Sequence, residues 1–299
     1  MNKIKNLINL IKNNRSNQSH KSFFLRSLFW KKIFIISIVL TMLMFWYDQS
    51  TYYSTDYLDE YSDGYYEEEF GWDKSCNIVG IELRGELCTY TADYEAEEQS
   101  SSEDIVYYIE EAEKNNNIEA IILEIDSWGG DGVAAEEVAN ALKRAEKPTI
   151  ALIRGYGDSA AYWAATGADM IFASANSDVG SIGVTMSYLD YSKQNQMEGL
   201  TYNKLSVGEF KDMGDPDKPL TSRERELLMR DVKIMHENFI KAVAENRGLD
   251  ISEVRLLADG SSMLGEMALE KGLIDRIGGI HEVKEYLGDI IGDEIEICW

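Results

Sequence analysis

The sequence predicts an α/β domain on a mostly parallel sheet. Short apolar runs, Ile78–Leu83, Ile118–Ile125, Pro148–Ile153 and Met170–Ala173, recur through the middle of the chain. Between them lie Glu103–Lys114 and Val133–Ala145, which have helical spacing, and a small-residue helix start after Ser159. Strands alternating with helices imply βαβ crossovers, and crossovers imply parallel pairing. With 44% hydrophobic residues and only 3 Pro, the 299-residue chain can bury a sizeable core.

Residues 1–32 carry eight of the 29 Lys and Arg and no Asp or Glu. They are expected in the cytoplasm. Ile33–Tyr47 is an uninterrupted apolar run, shorter than the ~20 residues a span usually needs. Ser27–Trp30 extends it if Lys31 and Lys32 snorkel to the interface. Trp30, Trp46 and Tyr47 suit the interfacial belts, and the charge asymmetry puts the N-terminus inside. We therefore expect an uncleaved transmembrane anchor over 33–47. A cleaved signal peptide is the rival, but no small-x-small site follows the run. Residues 48–75 are Tyr-rich and acidic, with Glu67, Glu68 and Glu69 in a row, and read as a solvated linker. The domain is expected over 76–299.

Beyond residue 32, 21 basic residues face all 53 acidic ones. So acidic a body repels nucleic acid and anionic surfaces, which argues against nucleic-acid binding. The three cysteines, Cys76, Cys88 and Cys298, form no CxxC or Cys/His cluster, so neither a metal nor any other cofactor is expected. Cys76 and Cys88 flank one predicted strand. They are read either as a disulfide, if this part lies outside the cytoplasm, or as two free thiols.

Within the helical and strand segments, the serines before Glu103, Ser100, Ser101 and Ser102, stand where Glu103–Lys114 needs a cap. A long helix is predicted over roughly Ser222–Arg247 after a polar loop, with shorter helical pieces to Tyr286. The stretch Arg154–Asp169, RGYGDSAAYWAATGAD, follows the strand Pro148–Ile153. A strand, a tight Gly turn and a helix start place one hydroxyl where free N–H groups and the dipole favour negative charge. Ser159 is thus a candidate nucleophile; the alternative is a plain N-cap. Asp126–Gly132, DSWGGDG, ends the preceding strand, on the side of an α/β sheet where ligands sit. Gly129 and Gly130 leave backbone N–H groups open to a ligand, as an oxyanion hole needs, or form a simple tight turn. Asp178–Val184, DVGSIGV, places Ser181 between glycines, and GEFKDM carries Lys211.

A serine nucleophile needs a base. The histidines are His20, in the basic tail, and His236 and His281, on helices far down the chain. A triad through His236 is one option. A desolvated lysine is the other, since burial disfavours its charged form.

Four segments in this order resemble the signal peptide peptidase A family of Ser-Lys proteases, distant relatives of the Clp protease proteolytic subunit and the crotonases. They are EIDSWGGDGV, RGYGDSAAYWAATGADMIFASANSDVGSIGV, VGEFKDMGDPDKPLTSRERELL and ADGSSMLGEMALEKGLIDRIGG, spanning roughly Asn77–Leu287. The resemblance implies a ClpP/crotonase-like fold with repeated β-β-α/βαβ units. It implies Ser159 as nucleophile, Lys211 as general base and Ser181 as the hydroxyl orienting that lysine. It implies an oxyanion hole from Gly129 or Gly130 with Ala160. One unit is present, which implies the short, membrane-anchored form that assembles into homo-oligomeric rings. The domain would then lie outside the cytoplasm on a bacterial inner membrane. There it would degrade remnant signal peptides and other extended apolar peptides without ATP, since no GxxxxGK[ST] motif is present. The chain departs from the family at Trp128, where Pro is usual, and at Ala160–Ala161, where Gly-Gly is usual. Those departures leave a weakly active scaffold as the alternative. A crotonase-type coenzyme A enzyme is a third reading, which the extracytoplasmic topology disfavours.

Overall fold

Three apolar strands make the centre of the fold because each supplies a run that only burial on both faces satisfies. They are β1 (Ile78–Cys88), β3 (Ala120–Gly130) and β4 (Thr149–Asp158). In this computed structural model the described residues are 40–42, 44, 76–91, 99–292 and 294–299. The chain falls into two compact units, residues 1–69 and 70–299. In the first, residues 40–42 and 44 are helical. The rest of the expected anchor over 33–47, the basic segment and all of the 48–75 linker lie outside the described residues. Among the described residues no helix is long and apolar enough to cross a membrane.

In the second unit the sheet runs β2-β1-β3-β4-β5-β8. Here β2 is Gln99–Ser101, β5 is Met170–Ala173 and β8 is Arg276–Ile277. All of these pairs are parallel, as the strand–helix alternation predicts. Off this path, β6 (Asp178–Gly180) pairs with β4, and β7 (Ser262–Leu264) lies antiparallel to β6. β9 (Ile297–Cys298) pairs with the start of β1.

The helices are α1 (Ser102–Lys114), α2 (Gly132–Arg144), α3 (Ala160–Ala165), α4 (Ser192–Met197), α5 (Ser222–Arg247), α6 (Ile251–Leu257), α7 (Gly265–Glu270) and α8 (Ile280–Ile291). One sheet face buries Leu83, Ile121, Leu123, Ile125 and Ile153 against Ile109, Val138, Leu142, Tyr162 and Phe239 of α1, α2, α3 and α5. The other buries Ile78, Ile122, Ile150, Leu152 and Phe172 against Val283 and Leu287 of α8. Each fully buried Leu or Ile contributes about 1.5–3 kcal/mol. α1 is capped by Ser101, whose hydroxyl accepts from Asp104 N. α5 has a capping box from Thr221 and Glu224 and ends on Gly248 in the left-handed conformation, so its predicted bounds hold.

Three expectations are corrected. First, β1, β3 and β4 run past their apolar cores. The Gly-rich stretches DSWGG and RGYGD end strands and are not tight turns. β3 is held to its tip by Glu86 and Leu87 of β1, opposite Gly129 and Gly130. β4 is held to its tip by β6, with Tyr156 opposite Asp178 and Asp158 opposite Gly180. Second, Cys76 pairs with Cys298, not Cys88, with Cα atoms 5.8 Å apart. Third, Cys88 is half-buried and free. An 11-residue strand separates Cys76 from Cys88, and at about 3.3 Å per residue their ends cannot meet.

Candidate active site

Ser159 stands between the last residue of β4 and the first of α3, with φ 52° and ψ −123°. This backbone is costly for a residue with a side chain, of order 1–3 kcal/mol, and persists only where its surroundings over-determine it. Ser159 N–H donates to Gly180 O at 2.8 Å, and Trp163 N–H donates to Ser159 O at 3.0 Å. The Ser159 side chain makes no capping hydrogen bond. The N-cap alternative therefore has no support in the geometry: the strand-to-helix turn is held by backbone, and the hydroxyl is left for other work.

Gly129 lies against this turn. A Cβ added there would meet Ser159 Cβ at 2.8 Å, Ala160 N at 3.0 Å and Asp158 O at 3.0 Å. Its φ of 111° and the 153° of Gly130 both favour glycine. A Cβ on Gly130 would strike Leu87 O at 2.0 Å, so that glycine serves the close approach of β1. Gly129 N–H donates to Ser127 Oγ at 3.1 Å, and Ser127 Oγ donates to Gly85 O at 2.5 Å. Ser127, which no sequence motif singles out, thus occupies one of the expected oxyanion donors. Ala160 opens α3, so its N–H has no partner within the helix by position.

Ser181 follows Gly180 and shares the unusual backbone, with φ 48°. Its hydroxyl donates to Gly260 O at 3.1 Å and its N–H to Ser261 O at 3.1 Å. The ADGSS segment therefore braces Ser181. A Cβ on Gly183 would lie 2.9 Å from Gly260 Cα, so the two chains pass in close contact. The following GLID segment is also tied in. Tyr162 O–H donates to Leu273 O at 2.8 Å, and Arg247 forks onto Asp275 at 2.7 and 3.0 Å.

The structure thus brings Ser159, Ala160, Gly129 and the Gly180–Ser181 turn together. Among the described residues no hydrogen bond joins Lys211 to them. Lys211 is exposed in the turn-rich stretch before α5. Its backbone N–H donates to Gly208 O at 3.3 Å, and among the described residues its ammonium makes no hydrogen bond or ion pair. His236 lies on α5, one turn before Phe239, whose ring stacks on Trp163 at 5.1 Å. His236 Nε2 is buried with no hydrogen-bond partner, so it is not bonded to Ser159.

Asp158, the residue before Ser159, is buried, and its Oδ1 has no partner. Burial, and then the nearby Asp178 carboxylate, push its pKa up to about 6. Among the described residues no group of His, Cys, Asp and Glu is placed to hold a metal ion.

Residues 141–289 match the model of Peptidase family S49. A protein of Methanocaldococcus jannaschii designated a protease is 34% identical over 180 residues, which cover 58% of this chain and 58% of that one. A protein of Enterococcus faecium designated a signal peptide peptidase, SppA, is 29% identical over 205 residues, covering 67% of this chain and 60% of that one. The matched part is thus less than two thirds of either relative's length. The solved structure of a membrane-bound stomatin-specific protease is 17% identical, covers 75% of this chain and 98% of that one, and has a TM-score of 0.49. The family match takes in Ser159, Ser181 and Lys211: residues 141–289 of the chain form a peptidase family S49 domain.

Proposed function

We propose that the chain is a membrane-anchored serine endopeptidase that uses Ser159 and Lys211 as a dyad. The observation that carries the reading is the Ser159 turn: an uncapped hydroxyl on a strained backbone, with the open side of Gly129 against it. Ser159 Oγ attacks a peptide carbonyl while neutral Lys211 takes its proton. The C–N bond then breaks, the amine leaves with that proton, and water hydrolyses the acyl-enzyme. Ala160 N–H and a glycine N–H hold the oxyanion. Gly129 N–H reaches it by exchanging Ser127 Oγ for the substrate oxygen. Ser181, already fixed by Gly260 and Ser261, orients the lysine.

Lys211 must be desolvated to act as a base. Its neighbours Leu205 and Val207 are 99% and 97% exposed, which leaves apolar surface on the same stretch for a neighbouring copy to cover. Assembly into a ring would bury that stretch and bring the lysine to its serine. The Cys76–Cys298 disulfide supports a domain outside the cytoplasm, because such bonds persist in oxidising compartments. An anchor over 33–47 would then hold the site beside its substrates, remnant signal peptides and other extended apolar peptides, cut without ATP.

The exposure of Lys211, with no hydrogen bond to Ser159 among the described residues, favours a second reading, a scaffold that has lost activity. Labelling by a serine-reactive fluorophosphonate distinguishes the two, since a scaffold does not react at Ser159. In a peptide-cleavage assay Ser159→Ala and Lys211→Ala each abolish turnover, while His236→Gln retains it. Activity surviving in either of the first two variants sinks the dyad, and loss in the third points to histidine as the base.

A further inference from the structure

The sheet face that α8 covers is covered only in part. Alternate residues share a face of a strand, so beyond Ile78, Ile122 and Leu152 the same face carries Glu82 and Arg84 on β1, Glu124 and Asp126 on β3, and Arg154 on β4. These charges satisfy one another. Glu124 bridges Arg84 at 3.3 Å and Arg154 at 2.7 Å. Asp126 Oδ1 accepts from Tyr156 N–H at 3.1 Å. The face ends in an aromatic pair, Trp128 and Tyr156, with ring centroids 5.2 Å apart and planes tilted by 54°.

Among the described residues both rings are left exposed. Trp128 is 66% exposed and Tyr156 39%. Among the described residues the indole N–H of Trp128 has no partner. The pair sits at the candidate active site by chain connection: Trp128 precedes Gly129, which abuts Ser159, and Tyr156 lies three residues before Ser159 on β4. A peptide held with its carbonyl between Ser159 and the glycine strand advances about 3.3 Å per residue. A side chain one or two residues from that carbonyl therefore falls within reach of an indole rooted beside Gly129. The carboxylates nearest the pair in the chain, Asp126 and Asp158, disfavour an acidic side chain there.

We infer that Trp128 and Tyr156 form a specificity-determining subsite for a bulky apolar side chain, aromatic or leucine-sized, within two residues of the scissile bond. The inference rests on the peptidase reading and names the substrate feature that reading leaves open. It assigns a use to Trp128, which departs from the family pattern. The two rings offer a tilted apolar corner in which a third ring or a branched aliphatic group packs edge or face. Neither residue touches the reacting atoms; both act by choosing which peptide lies across them.

The test uses the full chain carrying Ser159→Ala, so that binding is read without turnover. Two dansylated peptides are titrated, an apolar one with a single Phe and its Phe→Ala counterpart. The Ser159→Ala protein is expected to bind the Phe peptide at least about tenfold more tightly, the scale on which apolar pockets discriminate. Adding Trp128→Ala is expected to bring the ratio close to one, and adding Tyr156→Ala to lower it. A ratio unchanged by Trp128→Ala overturns the inference, as does an equal loss for both peptides or no preference at the outset. Hydrolysis of the same Phe peptide by the wild-type chain reads the peptidase proposal separately. Preference without hydrolysis removes the peptidase reading and leaves the subsite; hydrolysis without preference removes the subsite alone.

Discussion

Gly129 and Ser159 are in direct contact: a single methyl on the glycine would lie 2.8 Å from Ser159 Cβ and 3.0 Å from Ala160 N. Both neighbours belong to a turn already strained and pinned to Gly180, so neither can yield cheaply. Gly129→Ala is therefore expected to displace the proposed nucleophile and the proposed oxyanion donors together. Loss of one such donor costs about 10²–10³ in kcat, and the variant should fall in or below that range. Steady-state kinetics check the rate, and circular dichroism checks that the fold is retained.

The backbone of Ser159 makes a prediction independent of turnover. At φ 52° a side chain is strained and glycine is not. Ser159→Ala keeps the strain, whereas Ser159→Gly releases it. The glycine variant should be the more stable of the two variants by about 1 kcal/mol. Urea unfolding of the pair measures the difference. Equal stability would mean that the turn is not strained in solution.

The parallel sheet, the α/β alternation and the bounds of α5 were legible in the sequence because apolar period and capping chemistry agree there. Thr221, Glu224 and Gly248 mark both ends of α5 by residue type alone. The tips of β3 and β4 were not legible. Gly129, Gly130, Gly155 and Gly157 signal a turn locally, and only pairing with Glu86 and Leu87 on one side and β6 on the other keeps those segments extended. The role of ADGSS in bracing Ser181 depends on a contact between residues 79 positions apart, which no local pattern reports. Ser159, Ser181, Gly129 and Ala160 were legible as motifs and do lie together, while among the described residues no hydrogen bond ties Lys211 to Ser159.

The Cys76–Cys298 bond joins positions 222 residues apart and fastens β9 to the start of β1. Trp299 then lies over Gly80 on the sheet face. Removing a native disulfide typically costs about 2–5 kcal/mol. Cys298→Ser, or reduction of the wild-type protein, should lower the unfolding free energy by that amount, while Cys88→Ser should not. Urea unfolding with and without reductant checks this.

Asp158 sets a pH dependence. Its carboxyl binds a proton more tightly in the folded protein, at about 6, than at the ordinary aspartate value of 3.8. The stability this proton binding contributes is fully present below 3.8 and is lost as pH rises through about 6. Asp158→Asn has no such proton to lose. Relative to wild type it should gain stability across that window, be the more stable protein well above it, and show no advantage below it. Melting temperatures of both proteins across the range test the sign.

Ser159 is proposed to cut peptide bonds. Mass spectrometry of a peptide pool incubated with the wild-type chain or with Ser159→Ala tests it most directly. Products are expected in the wild-type digest that are absent from the Ser159→Ala digest. The same products from both proteins would contradict it.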